Sequence, residues 1–182
     1  MDYTKILEYK EKLKKELRPQ RYQHTINTVL KAMELSIGLN VDMEVVFVAS
    51  LLHDCAKYKT PTEKQKSELV DFLDFEQVLH APFGAIIARD EYGITDERIL
   101  NAIRYHTTGR SGMALEEMIV CLADAIEESR DYPALDKVKK ATKQGIIEGM
   151  IANLSNVVEY ETKKGSVIHP KTIEALEDLK KR

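Results

Sequence analysis

Hydrophobic residues recur at helical spacing through the first part of the chain. The first stripe consists of Ile6, Tyr9, Leu13 and Leu17. The second stripe consists of Tyr22, Ile26, Val29, Leu30, Met33 and Ile37. Side chains three or four positions apart share one face of a helix. Gly38 follows the second stripe, and glycine favours a helix C-terminus. The pattern predicts two successive amphipathic helices.

The segment Val45–Leu52 is apolar at nearly every position, which predicts an element buried on all sides. Asp42 precedes it and can cap a helix N-terminus. A buried parallel strand would show a similar run of apolar residues. We favour a central helix because no other segment alternates convincingly enough to pair with a strand.

Capping and helix-breaking residues predict where the next elements begin and end. Thr62 and Gln65 have the spacing of a capping box, which indicates a short helix. Pro82 suits a first helical position, and Gly93 suits the end of that helix. Thr95 is the predicted cap of the following helix.

The C-terminal half is also predicted to be helical. Residues 107–112 form a loop by their Thr, Gly and Ser content, and Leu115–Ile126 carries the clearest amphipathic stripe. Pro133 is predicted to open one long helix to about Lys164, and Pro170 a last helix through Leu179. Without a linker or repeat, the sequence predicts one all-α domain over residues 1–182, with roughly eight to ten helices.

Composition narrows the function classes. The 182 residues carry 27 basic and 30 acidic side chains, a net charge of -3, which argues against a binder of nucleic-acid polymers but permits local cations around a small phosphate ligand. Only 8 Gly and 5 Pro argue against a β-sandwich or barrel. No apolar run is long enough for a membrane span. Cys55 and Cys121 lie far apart, which predicts buried, reduced thiols in a cytoplasmic protein.

The candidate chemistry lies in the histidines and two aspartates. His53 and Asp54 end the apolar helix, and Asp124 interrupts the apolar segment 121–126. A buried carboxylate needs a cation, and neither Lys nor Arg lies within the preceding two helical turns of Asp54. Imidazole and carboxylate groups are ligands for Fe, Mn, Ni, Co and Zn. His169 precedes Pro170 and is interpreted as a helix-start residue.

The order of these residues resembles a known family. His24, His53–Asp54 and Asp124 resemble the H…HD…D signature of the HD-domain metal-dependent phosphohydrolases, and His80 and His106 match the subset with two metals. Five segments resemble the YqeK family of bacterial symmetrical diadenosine tetraphosphate hydrolases: residues 21–25, 51–57, 80–82, 105–110 and 122–127. The similarity spans about residues 18–133, with the C-terminal helices at 134–182 outside it.

This resemblance implies a two-metal hydrolase, with iron as the favoured ion and Mn, Co, Ni or Zn as alternatives. One metal would be held by His24, His53, Asp54 and Asp124. The other would be held by Asp54, His80 and His106, with Asp54 bridging. Two ions about 3.5–4 Å apart clamp a phosphoryl group and activate a water as nucleophile. The implied reaction cleaves a dinucleoside polyphosphate, such as diadenosine tetraphosphate, into two nucleoside diphosphates.

Cations beside the predicted ligands are candidates for binding the phosphates. The predicted substrate-binding residues are Arg21, Lys57, Thr107, Gly109, Arg110 and Arg130. Lys57 and Arg110 are also assigned to catalysis, together with Asp54. The family usually has Glu-Pro-Gly-Arg where this chain has Glu127–Glu128–Ser129–Arg130, so Glu128 adds a negative charge beside the expected phosphate site.

Two other functions stay open from the sequence. The Glu128–Ser129 departure motivates an HD phosphohydrolase acting on mononucleotides or cyclic nucleotides. A nucleotide-binding module without hydrolysis is the other possibility, although the complete ligand set argues against it. A homodimer is compatible with apolar positions in the C-terminal helices, which could equally be internal. These positions are Val157, Val158, Ile173 and Leu176.

Overall fold

The computed structural model describes residues 2–182, and the predicted all-α class is confirmed over that range. Ten helices lie within it: α1 (Tyr3–Glu16), α2 (Pro19–Ser36), α3 (Met43–Leu52), α4 (Glu63–Lys66), α5 (Glu76–Tyr92), α6 (Glu97–Arg104), α7 (Leu115–Ile126), α8 (Leu135–Thr142), α9 (Ile146–Lys164) and α10 (Pro170–Leu179). The short helix α4 begins with the predicted capping box of Thr62 and Gln65. Among these helices, none is long and apolar enough to cross a membrane.

Helix α3 is the central element, as its sequence predicts. It packs against α2, α6 and α7, and apolar side chains on all its sides are buried. Asp42 caps it by accepting hydrogen bonds from the backbone N–H groups of Glu44 and Val45. Because α3 is enclosed, the residues that directly follow its C-terminus also lie in the interior.

Two hydrophobic clusters meet at α7. The larger cluster contains α3 and the inward faces of α2, α5 and α6, and the smaller one joins α7 to α8, α9 and α10. Leu35, Leu115 and Ile146 pack against both clusters. Cys55 and Cys121 are buried and unpaired, as predicted, and burial raises the pKa of Cys121 to about 12. Both thiols are structural rather than reactive.

The predicted start of the helix ending at Tyr92 is wrong. Helix α5 begins at Glu76, and Pro82 lies inside it rather than at its first position. An interior proline removes one backbone hydrogen bond. Pro82 and Phe83 are buried, so packing of this face offsets that loss. The longer helix adds a turn that contains His80.

Two further helix boundaries also differ from the sequence prediction. Asp96, not Thr95, caps α6, because its side chain accepts from the N–H of Arg98 at 2.9 Å. The single helix predicted from Pro133 to Lys164 is two helices, with Gly145 preceding α9. A Cβ at Gly149 would lie 2.5 Å from the Thr142 hydroxyl. Gly149 therefore allows α9 to pack closely against α8.

Some predicted core positions are exposed. Leu30 is 65% and Ile37 is 77% exposed, because the buried face of α2 runs through His24, Thr28 and Ala32 instead. The apolar positions that suggested a dimer are only partly internal, because Ile173 is exposed and Val157 is half-buried. Leu176 is buried and Val158 packs partly against the smaller cluster.

Candidate metal centre

The end of α3 places an imidazole and a carboxylate in the interior. His53 is the C-cap residue of α3 and is fully buried, and Asp54 is 2% exposed. The Nδ1 atom of His53 donates to the carbonyl of Ser50 at 2.7 Å. This bond leaves Nε2 of the ring directed at neighbouring side chains, which is the usual arrangement of a metal-ligating histidine.

Asp54 presents its two oxygens to different groups. Oδ2 lies 3.5 Å from Nε2 of His53 and 2.9 Å from Nη1 of Arg21. Oδ1 lies 3.4 Å from Nε2 of His80 and 3.9 Å from Nζ of Lys57. Burial raises the pKa of the Asp54 carboxyl, but His53 and Lys57 outweigh it and hold that pKa well below its usual value. Asp54 is therefore an ionised carboxylate with one oxygen available on each side.

His24 on α2 and Asp124 on α7 complete one side of the centre. Nε2 of His24 lies 2.9 Å from Oδ1 of Asp124 and 3.3 Å from Nε2 of His53. Nδ1 of His24 lies 3.1 Å from Oε1 of Glu127. His24 and His53 each use Nδ1 for a hydrogen bond outside the centre, so their Nε2 atoms are the ring atoms that face each other. A divalent cation between them would satisfy both nitrogens.

His106 and His80 form the other side. The Nδ1 atom of His106 donates to the carbonyl of Ile103 at 2.7 Å. Its Nε2 atom is buried and has no hydrogen-bond partner among residues 2–182. Burial lowers the pKa of His106 to about 4 and that of His80 to about 3. Both rings are therefore neutral at pH 7, which is the form that binds metals.

The ligand atoms form two overlapping groups that can hold ions. One contains His24, His53 and Asp124, and the other contains His53, Asp54 and His106. The atoms within each group lie within 4.8 Å of one another. His80 adjoins the second group, with its ring centroid 5.3 Å from that of His106. All six side chains proposed as ligands therefore converge. His53 belongs to both groups, whereas the resemblance assigned it to only one of the two metals.

Three of the predicted phosphate-binding cations adjoin this centre. Arg21 contacts Asp54, and Arg130 donates from Nε to the backbone carbonyl of Asp124 at 2.7 Å and also contacts its carboxylate. Lys57 Nζ lies 3.1 Å from Nε2 of His80. Arg21 of α2 and Lys57 therefore supply positive charge beside Asp54 that the sequence of α3 does not contain.

The loop after His106 contains three residues that were predicted to bind substrate, but its arginine pairs with a side chain of the protein itself. Arg110 makes two bonds to Glu117, of 2.9 and 2.6 Å, and Glu117 is buried. Gly109 has a φ of +64°, and a Cβ there would lie 3.0 Å from that of Ala175, so a glycine is needed for the turn. The hydroxyl of Thr107 is buried without a hydrogen-bond partner in the described chain, so it remains available to a ligand.

The segment Glu127–Arg130 contains a residue that sequence reasoning missed. Glu127 is fully buried and accepts from the backbone N–H of Ser129 at 2.7 Å while it contacts His24. Glu128 is exposed and pairs with Lys31 at 2.9 Å. Lys31 also pairs with Glu34 at 2.6 Å, so α2 offsets the added charge of Glu128 only in part. The sequence feature that could have indicated Glu127 is its position directly after the apolar end of α7.

The fold and this ligand set identify the class, and the chain belongs to the HD domain family, whose sequence pattern matches residues 21–129. It is 37% identical to a symmetrical bis(5'-nucleosyl)-tetraphosphatase of Halalkalibacterium halodurans over 173 residues, covering 92% of both chains. A symmetrical bis(5'-nucleosyl)-tetraphosphatase of Bacillus subtilis is 35% identical over 88% of this chain and 89% of its own.

A crystal structure from Clostridium acetobutylicum has the same fold. That protein is described as a predicted HD superfamily hydrolase involved in NAD metabolism. The TM-score is 0.87, with 34% sequence identity and 96% of each chain covered. The whole helical arrangement, including the C-terminal helices, is therefore shared with a solved HD superfamily protein.

Proposed function

We propose that this protein is a metal-dependent phosphohydrolase that cleaves diadenosine tetraphosphate and related dinucleoside polyphosphates symmetrically into two nucleoside diphosphates. The observation that carries the proposal is the convergence of six ligand-type side chains on one buried centre. These side chains are His24, His53, Asp54, His80, His106 and Asp124. Relatives that match nearly the full chain bear the name of this activity.

The proposed ligand roles follow from the donor atoms. His24, His53 and Asp124 would hold one ion and His80 and His106 the second, with Asp54 as a ligand available to both. Divalent ions at such a site act as Lewis acids and lower the pKa of water. Iron is the proposed ion, with Mn, Co, Ni and Zn as alternatives, because a mixed N and O donor set suits several of them.

The cations at the centre are proposed to bind the phosphate chain. Arg21 contacts Asp54, and Arg130 contacts Asp124. With ions held by these carboxylates, both guanidinium groups would be available to bind phosphate oxygens in a bidentate manner. Lys57 lies beside them, and burial lowers its pKa. The ammonium group of Lys57 is suited to stabilising the negative charge on the departing nucleoside diphosphate.

Product analysis tests the proposal directly. Purified, metal-loaded protein is incubated with diadenosine tetraphosphate, and nucleotides are separated by chromatography. We expect ADP as the only nucleotide product, because attack occurs in the middle of the phosphate chain. ATP together with AMP, or intact substrate with Fe(II), Mn(II) and Co(II) alike, would contradict the assignment.

The contacts of Glu128 do not favour a mononucleotide or cyclic-nucleotide substrate. Glu128 motivated a mononucleotide or cyclic-nucleotide activity, but its carboxylate binds Lys31. A panel of these nucleotides at fixed metal concentration compares the two substrate classes. Detectable hydrolysis would also distinguish an enzyme from a module that only binds nucleotides. A cytoplasmic location and a homodimer stay predictions, and sedimentation measurements test the second.

A further inference from the structure

Gly84 of α5 lies where three segments that carry proposed ligands meet. A Cβ atom at this position would be 3.2 Å from the backbone carbonyl oxygen of His53 and 3.2 Å from Cγ2 of Ile103. The thiol of Cys55 donates to the carbonyl of Gly84, with 3.4 Å between sulfur and oxygen. All four residues are buried. The packing therefore leaves no free space for a side chain at this point of α5.

The contacts of Gly84 lead to proposed metal ligands on two other segments. His53 is itself a proposed ligand, and its carbonyl faces the helix. Ile103 is fully buried, and its own carbonyl accepts the hydrogen bond from Nδ1 of His106. Gly84 is thus packed between the backbone of one proposed ligand and the residue that orients another.

The position of His80 follows from the position of α5. His80 lies four residues before Gly84, which places it one turn away on the same side of the helix. Its Nε2 atom lies 3.4 Å from Oδ1 of Asp54. Pro82 lies between them and has no N–H, so one backbone hydrogen bond fewer joins the turn of His80 to the rest of α5. The packing of Gly84 therefore helps to determine how far His80 lies from Asp54.

This position uses the missing side chain of glycine rather than its backbone freedom. Gly84 does not have a positive φ, and glycine is less favourable than alanine inside a helix. The backbone oxygen of His53 cannot rotate away from an added methyl group as a flexible side chain could. A methyl group at Gly84 would therefore have to displace α5 from His53 by a few tenths of an ångström.

We infer that Gly84 is a positioning residue that sets the separation of the two ion sites, because it lets α5 bring His80 close to Asp54. The inference rests on the proposed function, since it takes these side chains as ligands of two ions. Metal–ligand distances vary by only about 0.2 Å. A small displacement of α5 is therefore enough to weaken binding of the ion that His80 would hold.

The experiment compares Gly84→Ala with Gly149→Ala in the full chain. Gly149 is the matched control because it is also a buried glycine inside a helix, where a Cβ would lie 2.5 Å from the hydroxyl of Thr142. Calorimetry measures Mn(II) binding, and electron paramagnetic resonance distinguishes a magnetically coupled pair of ions from isolated ions. Circular dichroism and urea denaturation record the fold and its stability.

We expect the wild type and Gly149→Ala to bind two Mn(II) ions that give the signal of a coupled pair. Gly84→Ala should bind the first ion with unchanged affinity. It should bind the second about ten-fold more weakly, as expected when the support of a metal ligand is altered, and its spectrum should become that of isolated ions.

A second variant, Gly84→Ala/Ile103→Leu, removes the Cγ2 atom that the added methyl group would meet and leaves the carbonyl of His53 in place. It should regain part of the stability lost in Gly84→Ala, but not the second ion. If Gly84→Ala does not fold, the double variant takes its place in the binding measurements. Failure of both to fold would overturn the inference, because the glycine would then be required by the core as a whole.

The other outcomes also decide between the two ideas. A coupled pair of ions in Gly84→Ala overturns the inference, and so does an equal loss of the second ion in Gly149→Ala, because the effect would then follow from stability alone. Return of the second ion in the double variant, or a single ion in the wild type, overturns it as well. A wild type that binds a coupled pair but leaves diadenosine tetraphosphate intact contradicts the proposed function, and the role of Gly84 stands.

Discussion

Glu127 binds His24 across an interval of 103 residues, with Oε1 of the carboxylate 3.1 Å from Nδ1 of the ring. Ser129 holds the same carboxylate through its backbone N–H. The pKa of Glu127 is lowered although burial opposes this, because Ser129 and His24 hydrogen-bond the ionised form. The negative charge fixes the proton of His24 on Nδ1 and directs Nε2 to the centre.

Replacing Glu127 should weaken metal binding. Glu127→Gln keeps the shape of the side chain and removes its charge. We expect the affinity for a divalent ion to fall about ten-fold, which is the smaller end of the loss seen when a residue that hydrogen-bonds a metal ligand is replaced. Competition with a chromogenic chelator measures the affinity. Glu128→Gln is the matched control, because this neighbour binds Lys31 on the surface. Equal affinities of the two variants would show that Glu127 does not position His24.

His80→Ala tests whether the centre holds two ions. His80 contacts Asp54 and lies beside His106, so its loss should lower metal content and activity together while the helical circular-dichroism spectrum of the wild type is kept. Elemental analysis of anaerobically purified protein gives the content. His169→Asn is the control histidine outside the centre. Undiminished metal content in His80→Ala would remove His80 from the ligand set.

Arg110→Ala separates a structural role of this residue from the predicted catalytic one. Removing Arg110 leaves the buried Glu117 without its cation, so we expect the free energy of unfolding to fall by about 1–3 kcal/mol. Urea denaturation measures this, and Arg110→Ala/Glu117→Gln should recover part of the loss. If activity falls while stability does not, Arg110 acts on the substrate as the sequence predicted.

His169 should make the fold sensitive to acid. Its ring stacks on Phe72 at 4.4 Å between centroids and accepts from the N–H of Lys171. Burial lowers its pKa below the usual 6.5, Lys171 lowers it further, and Asp71 and Glu174 oppose this only in part. The unfolded state therefore binds more protons below pH 6.5, and stability falls as the pH decreases through that value.

The check is the urea midpoint of the wild type and His169→Asn between pH 7.5 and 5. Asparagine keeps a capping side chain but does not titrate, so the variant should lose less stability over this interval. Parallel curves for the two proteins would assign the acid sensitivity to other groups.

The sequence correctly predicted the helices whose first and last residues are determined by neighbouring residues in the chain. Helix α10 runs from Pro170 to Leu179 as predicted, because proline at the start and the apolar stripe are local signals. It did not predict the break before α9, where Gly149 of α9 lies against Thr142 of α8. The same distinction holds at the site. Residue order indicated the proposed ligands, whereas Glu127 contacts His24 only in the folded chain.

The proposed ligands come from α2, the end of α3, α5, the turn after α6, and α7. None of these segments alone presents enough donors for an ion, so a tight site exists only while the helices are assembled. Occupancy and folding are therefore thermodynamically linked. A free ion concentration one hundred times Kd would add about 2.7 kcal/mol to the resistance to unfolding, and withdrawal of the ion would return the chain to the stability of its hydrophobic packing alone.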